Sequence, residues 1–169
     1  MSASSGLPTR LFLVRHAAAA WPQPGECDFD RALSEAGHEE ARKLGAEAMR
    51  LQYVPDSIIS SSALRCRQTT EILVETMGAD TKVRLTDTLY ECGADVYLDL
   101  IGSADPESAL MIVGHNPTLE DVAAELCGAA ALSEHAPLGL PTAGFLVLAP
   151  APKTAGHRWQ IADFLSGGI

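Results

Sequence analysis

The chain has 169 residues, enough for one domain with a full hydrophobic core. At 47% hydrophobic and 20% charged its composition is that of a soluble globular protein, and with aromatics at 5% an aliphatic core is expected. A formal charge of −10 argues against nucleic acid as a partner, so an anionic substrate needs a local basic pocket.

Leu11–Val14 is the first short apolar run, and it ends abruptly in Arg15-His16 and four alanines. After a loop holding Pro22, Pro24 and Gly25, Ser34 is placed to N-cap a helix reaching about Leu51. Ala41, Leu44, Ala48 and Leu51 recur there at helical spacing. Gly37 stands three places after Ser34, which makes a simple cap and not a capping box. Ser57–Ser60 reads as a strand leading into a helix from about Ala63 to Met77, stopped by Gly78. Val83–Leu85 is a third short strand, followed by a helix around Val96–Ile101. Ala109–Val113 is the best buried-strand candidate, and Thr118–Cys127 carries Leu119, Val122, Ala123 and Leu126 on one helical face. Gly144–Leu148 and Trp159–Phe164 have no helix between them and read as an antiparallel strand pair.

This alternation predicts an α/β fold: a three-layer α/β/α sandwich with a mostly parallel central sheet and an antiparallel C-terminal strand pair. A single domain over residues 1–169 is expected, because no repeat, linker or charge block divides the chain. Cys27, Cys66, Cys92 and Cys127 form no CxxC pair and no zinc-finger spacing, which favours reduced, mostly buried thiols over a disulfide framework. The start MSASSGLPTR lacks the features of a signal peptide, and no apolar run approaches a membrane span. A cytoplasmic monomer without membrane contact is the expectation.

Ligands of parallel α/β sheets bind beyond the carboxyl ends of the strands. Arg15-His16 follows the first strand, Ser60–Arg65 the second, and Gly114-His115-Asn116 follows Val113. Two arginines and two histidines thus meet on one rim. Arginine offers a planar fork of donors to phosphoryl oxygens and stays charged. A neutral imidazole can attack phosphorus and carry the phosphoryl group, while a second one donates to its oxygens. The start of the helix near Ala63 adds backbone N–H groups. Nothing in this set demands a metal. Taken singly, each residue has a bland reading: Arg65 as a surface cation, Gly114–Pro117 as a plain turn. Their shared position at strand ends carries the reading.

Leu11-Phe-Leu-Val-Arg15-His16-Ala17 resembles the RHG signature of the histidine phosphatase, or phosphoglycerate mutase-like, superfamily. Ser61-Ser-Ala-Leu-Arg65-Cys-Arg-Gln68-Thr69 is similar to its S-x-x-x-R-x-x-Q-T segment, and Val113-Gly114-His115-Asn116-Pro117 to the segment with its second histidine. Asp28-Phe-Asp-Arg31-Ala-Leu33-Ser-Glu-Ala-Gly37 resembles the loop and helix start between the first two. Short length, the RHA form and the GHNP segment look most like the SixA-type branch, associated with phosphohistidine dephosphorylation. The resemblance implies His16 as nucleophile, Arg15 and Arg65 as phosphate clamp, and His115 as second phosphate-binding histidine. Leu89-Tyr90-Glu91 resembles the segment where relatives place a proton donor, so Glu91 is its candidate, with more weight for phosphate esters than for phosphoramidates. Arg31 is a candidate rim cation for substrate, or else the partner of Asp28 or Glu35 in a salt bridge. Ala17 replaces the usual glycine, and an ordinary backbone conformation is expected there.

The function implied is a metal-independent, cofactor-free phosphohydrolase working through a phosphohistidine on His16, with a histidine-phosphorylated protein as substrate. A phosphatase or mutase for small phosphate esters, and a non-catalytic phosphate-binding module, are the alternatives.

Overall fold

In the computed structural model, which describes residues 7–78 and 80–168, strand β1 (Arg10–Arg15) buries side chains on both faces. Phe12 and Val14 face one hydrophobic cluster and Leu11 and Leu13 the other, and all four are fully buried. A strand buried on both sides needs a helical layer against each face. Helices α1 (Glu35–Arg50) and α2 (Leu64–Met77) supply one, contributing Ala41, Leu44, Ala48, Cys66, Leu73 and Met77. Helices α3 (Ala94–Gly102) and α4 (Thr118–Cys127) supply the other, with Tyr97, Ile101, Leu119, Val122 and Ala123.

The sheet has six strands, ordered β3 (Lys82–Thr86), β2 (Ser57–Ser61), β4 (Ala109–Gly114), β1, β5 (Gly144–Pro150) and β6 (Trp159–Ser166). The first four in that order are mutually parallel; β5 runs antiparallel to β1, and β6 antiparallel to β5. This is the three-layer, mostly parallel architecture with the C-terminal antiparallel pair expected from the sequence. Arg15 lies opposite Gly114, and Ser60 opposite Val113. The carboxyl ends of β1, β4 and β2 are therefore level and adjacent.

Helix α5 (Ala129–His135) has no counterpart among the elements read from the sequence. It buries no residue fully and rests Ala131 and Leu132 on the second cluster. Three alanines and one leucine leave too faint an apolar stripe to mark a helix.

The segment after the strand tip is tied to the start of α1. Ala18 N–H donates to Glu40 Oε2 at 2.9 Å, and Ala18 O accepts from Ser34 N at 2.9 Å and Ser34 Oγ at 3.1 Å. Ser34 also caps α1, its Oγ accepting from Gly37 N at 3.0 Å. A Cβ on Gly37 would stand 2.0 Å from Ala18 O, so only glycine permits this approach. Gly37→Ala is expected to lose about 1–3 kcal/mol of stability in urea unfolding. Gly102→Ala, whose Cβ would meet nothing within 4 Å, is expected to lose none.

Candidate active site

His16 is the first residue beyond β1. Its N–H donates to Gly114 O at 3.1 Å and its carbonyl accepts from Ala143 N at 3.1 Å, so its backbone is held from two sides. Its Nδ1 lies 2.8 Å from Ala17 O. A carbonyl only accepts, so Nδ1 carries the proton and Nε2 is left unprotonated, with its lone pair available as an acceptor. Arg65 Nε donates to that Nε2 at 3.3 Å. Burial, helped by the charges of His115, Arg65 and Arg15 and opposed by the bond to Ala17, lowers the imidazole pKa to about 3.

His115 follows β4, its ring 5.3 Å from that of His16. Its Nε2 lies 2.9 Å from Ser61 Oγ at the end of β2, and its backbone N–H donates to Tyr97 Oη at 3.3 Å. A Cβ on Gly114 would stand 2.1 Å from the same Tyr97 Oη, so the tyrosine occupies the space that glycine leaves. Burial first, then Arg65, depresses the His115 pKa to about 4. Cys66 Sγ lies 3.5 Å from His115 Nε2, and burial pushes its thiol up to about 12, so it meets the ring as a neutral group.

Arg65 sits in the first turn of α2 with a side chain 8% exposed. Nη1 donates to Asp28 O at 2.6 Å and Nη2 to Asp28 Oδ2 at 2.9 Å. Asp28 also accepts from Arg31 Nη1 on Oδ1 at 2.8 Å and from Tyr90 Oη on Oδ2 at 2.9 Å. Partial burial would raise the carboxyl, but the bonds from Arg31, Tyr90 and Arg65 outweigh it and hold its pKa at about 2. Together His16, Asp28, Arg65, Tyr90, Glu91 and His115 surround a pocket of about 270 Å³, completed by Leu89 and the turn 116–118.

Residues 11–100 match the family model of the histidine phosphatase superfamily, branch 1. The chain belongs to this superfamily. Among solved structures it is similar to the candidate phosphohistidine phosphatase SixA from Agrobacterium tumefaciens, 41% identical over 95% of this chain and 99% of that one, with a TM-score of 0.87. A second SixA candidate, from Nakamurella multipartitia, is 26% identical over 92% and 94% of the two chains, at 0.75. An uncharacterised protein of Mycobacterium tuberculosis is 34% identical over 149 residues, 85% of this chain and 89% of that one. The protein is a histidine-nucleophile phosphatase of the SixA-like branch. Among the described residues no helix is long and apolar enough to cross a membrane.

Four residues singled out from the sequence of this phosphatase line the pocket: His16, Arg65, His115 and Glu91. Glu91 is exposed at its edge, in the left-handed backbone region at φ 55°. Two others lie outside its lining. Arg15 Nη1 donates to Leu140 O at 2.8 Å, its Nε is buried without a partner, and burial pushes the guanidinium below its ordinary value against the pull of Glu120 and Glu40. Arg31 takes the salt-bridge alternative with Asp28 and also donates to Ala20 O, at 3.3 Å from Nε and 3.2 Å from Nη2. Ala17 is fully buried, is not among the described residues with positive φ, and donates its N–H to Thr69 Oγ1 at 3.1 Å. Asp28 received no site role from the sequence, although its D-x-x-R spacing to Arg31 was visible. Tyr90 and Ser61 carry no signal of their own in the sequence beyond the motifs they belong to.

Both histidines are expected to stay neutral well below the usual pKa of a histidine. In an NMR titration His115 should protonate near pH 4 and His16 near pH 3. Midpoints near 6.5 would contradict the burial described. Unfolded histidines take up protons below about pH 6.5 whereas these two do not, so the pair removes stability as pH falls from about 6.5 towards 3.

Proposed function

We propose that this phosphatase removes phosphoryl groups from phosphohistidine on a partner protein, through a covalent phosphohistidine on His16. The observation that carries the reading is the unprotonated Nε2 of a neutral His16, facing Arg65 in a pocket of about 270 Å³. That volume suits a phosphorylated side chain projecting from a larger surface. The description of the Agrobacterium relative as a candidate phosphohistidine phosphatase supports the same substrate. A cytoplasmic location and action as a monomer belong to this reading.

His16 Nε2 attacks phosphorus in line as the P–N bond to the substrate imidazole breaks, and the leaving nitrogen takes a proton from solvent. Water then attacks the phosphorus of the His16 adduct, which releases orthophosphate and restores the neutral imidazole. Arg65 holds equatorial oxygens from within the pocket, and the same task is assigned to Arg15, which stands outside the pocket lining, on the resemblance of its Arg-His motif to that of the family. His115 donates once the bound dianion has raised its proton affinity, since an opposite charge favours its protonated form.

Glu91 at the pocket edge favours a second reading, hydrolysis of small phosphate esters, because an alkoxide leaving group needs a proton donor. No comparable observation favours the mutase or the non-catalytic module.

Incubation with a phosphohistidine protein is expected to leave an acid-labile phosphoryl label on the wild type and none on His16→Ala. A label that persists in that variant removes His16 as nucleophile. Arg65→Ala is expected to lower kcat by about 10²–10³-fold in the same assay. Glu91→Gln should slow an alkyl phosphate more than a phosphoramidate; an equal effect on both would deny Glu91 the role of proton donor.

A further inference from the structure

A guanidinium has five N–H donors arranged around two usable edges. In Arg65 these edges face different partners. The outer edge, Nη1 and Nη2, is gripped by the backbone carbonyl and the carboxylate of Asp28 at 2.6 and 2.9 Å. The inner side presents Nε to His16 Nε2 at 3.3 Å, with Nη2 3.5 Å from His115 Nδ1. The space between those imidazoles is where a phosphoryl group bound to His16 would place its oxygens.

We infer that Asp28 is a positioning residue for phosphoryl transfer, gripping the outer edge of Arg65 so that its inner donors face the group carried by His16. The inference rests on the role proposed above for Arg65. Asp28 can do this because it is itself held from two further directions. Arg31 reaches Oδ1 and is anchored in turn on Ala20 O, and Tyr90 reaches Oδ2. Phe29 packs edge-on against the Tyr90 ring with centroids 5.0 Å apart, fixing the loop to the opposite wall. A circuit of contacts therefore runs from the alanine segment after His16 through Arg31, Asp28 and Arg65 back to His16. The flexible stem of Arg65 would otherwise sample many orientations in a pocket whose chemistry depends on one. Asp28 faces Arg65, Arg31 and Tyr90 and is held ionised by them, so it has no proton to give a leaving group.

A competing role makes the opposite prediction. If the carboxylate only occupied the arginine that phosphate needs, its removal would tighten anion binding.

The test is a double-mutant cycle on the full chain, read by orthovanadate affinity and by single-turnover transfer from a phosphohistidine protein. Asp28→Ala is expected to weaken orthovanadate and slow transfer on the order of 10²-fold. Asp28→Asn, which keeps an amide oxygen for Arg65, is expected to recover part of that loss. In an Arg65→Ala background, Asp28→Ala is expected to cost almost nothing more. Additive losses in the cycle would make Asp28 a structural residue acting apart from Arg65, and would overturn the inference. Tighter orthovanadate binding by Asp28→Ala, or no change, would overturn it too. So would a wild type that does not bind orthovanadate. Orthovanadate coupling without acid-labile label on wild-type His16 would instead sink the covalent route and leave the Asp28–Arg65 pairing standing.

Discussion

A strand buried on both faces cannot slide. Moving β1 by one residue against β4 would exchange Leu11 and Leu13 with Phe12 and Val14, and neither helical layer is shaped to receive the other set. That constraint holds Arg15 opposite Gly114 and fixes where the chain leaves the sheet. Every polar group of the site is measured from that exit. His16 takes its backbone bonds from β4 and from Ala143, and His115 lies one strand away, with Ser61 on the strand beyond. His16 is thus carried at the tip of a strand buried on both faces, while Arg65 reaches it from the first turn of α2.

Burial does two kinds of work at this point. It removes water from the imidazoles, which is the chief reason both rings stay neutral where exposed histidines would begin to charge, and the cations beside them add to it. It also leaves the arginines few partners other than backbone carbonyls and Asp28. An acidic molecule thereby maintains a small basic enclave, in which Arg65 and Arg31 share Asp28 while Arg15 keeps an unpartnered Nε.

Much of this is legible in the sequence. Hydrophobic period and caps located α1, α2 and α4 closely, since Ser34, Gly78 and the Leu119–Val122–Ala123 face are local signals. Strand ends pointed to His16, Arg65 and His115 because the rule needs only the order of elements. Local signals fail where a contact spans the chain. Asp28 meets Arg65 across 37 positions, and Arg15 meets the Leu140 carbonyl across 125. No spacing rule reaches that far. Arg31 has the same difficulty: the choice between substrate, Asp28 and Glu35 is made by the fold of the loop, which brings it to Asp28. The run of alanines acts through its backbone. Ala18 and Ala20 serve as backbone ligands for α1 and Arg31, and a larger side chain at Ala17 would meet a fully buried site.

Gly114 and Tyr97 share one volume: the hydroxyl fills the position of the missing Cβ and accepts the His115 N–H. Neither residue can drift alone. Enlarging the glycine expels the ring, and shrinking the ring opens a void beneath the second histidine while orphaning its amide. Across divergent descendants of this chain the two positions should therefore change as a couple, and a helix remote from the chemistry becomes part of its inherited grammar.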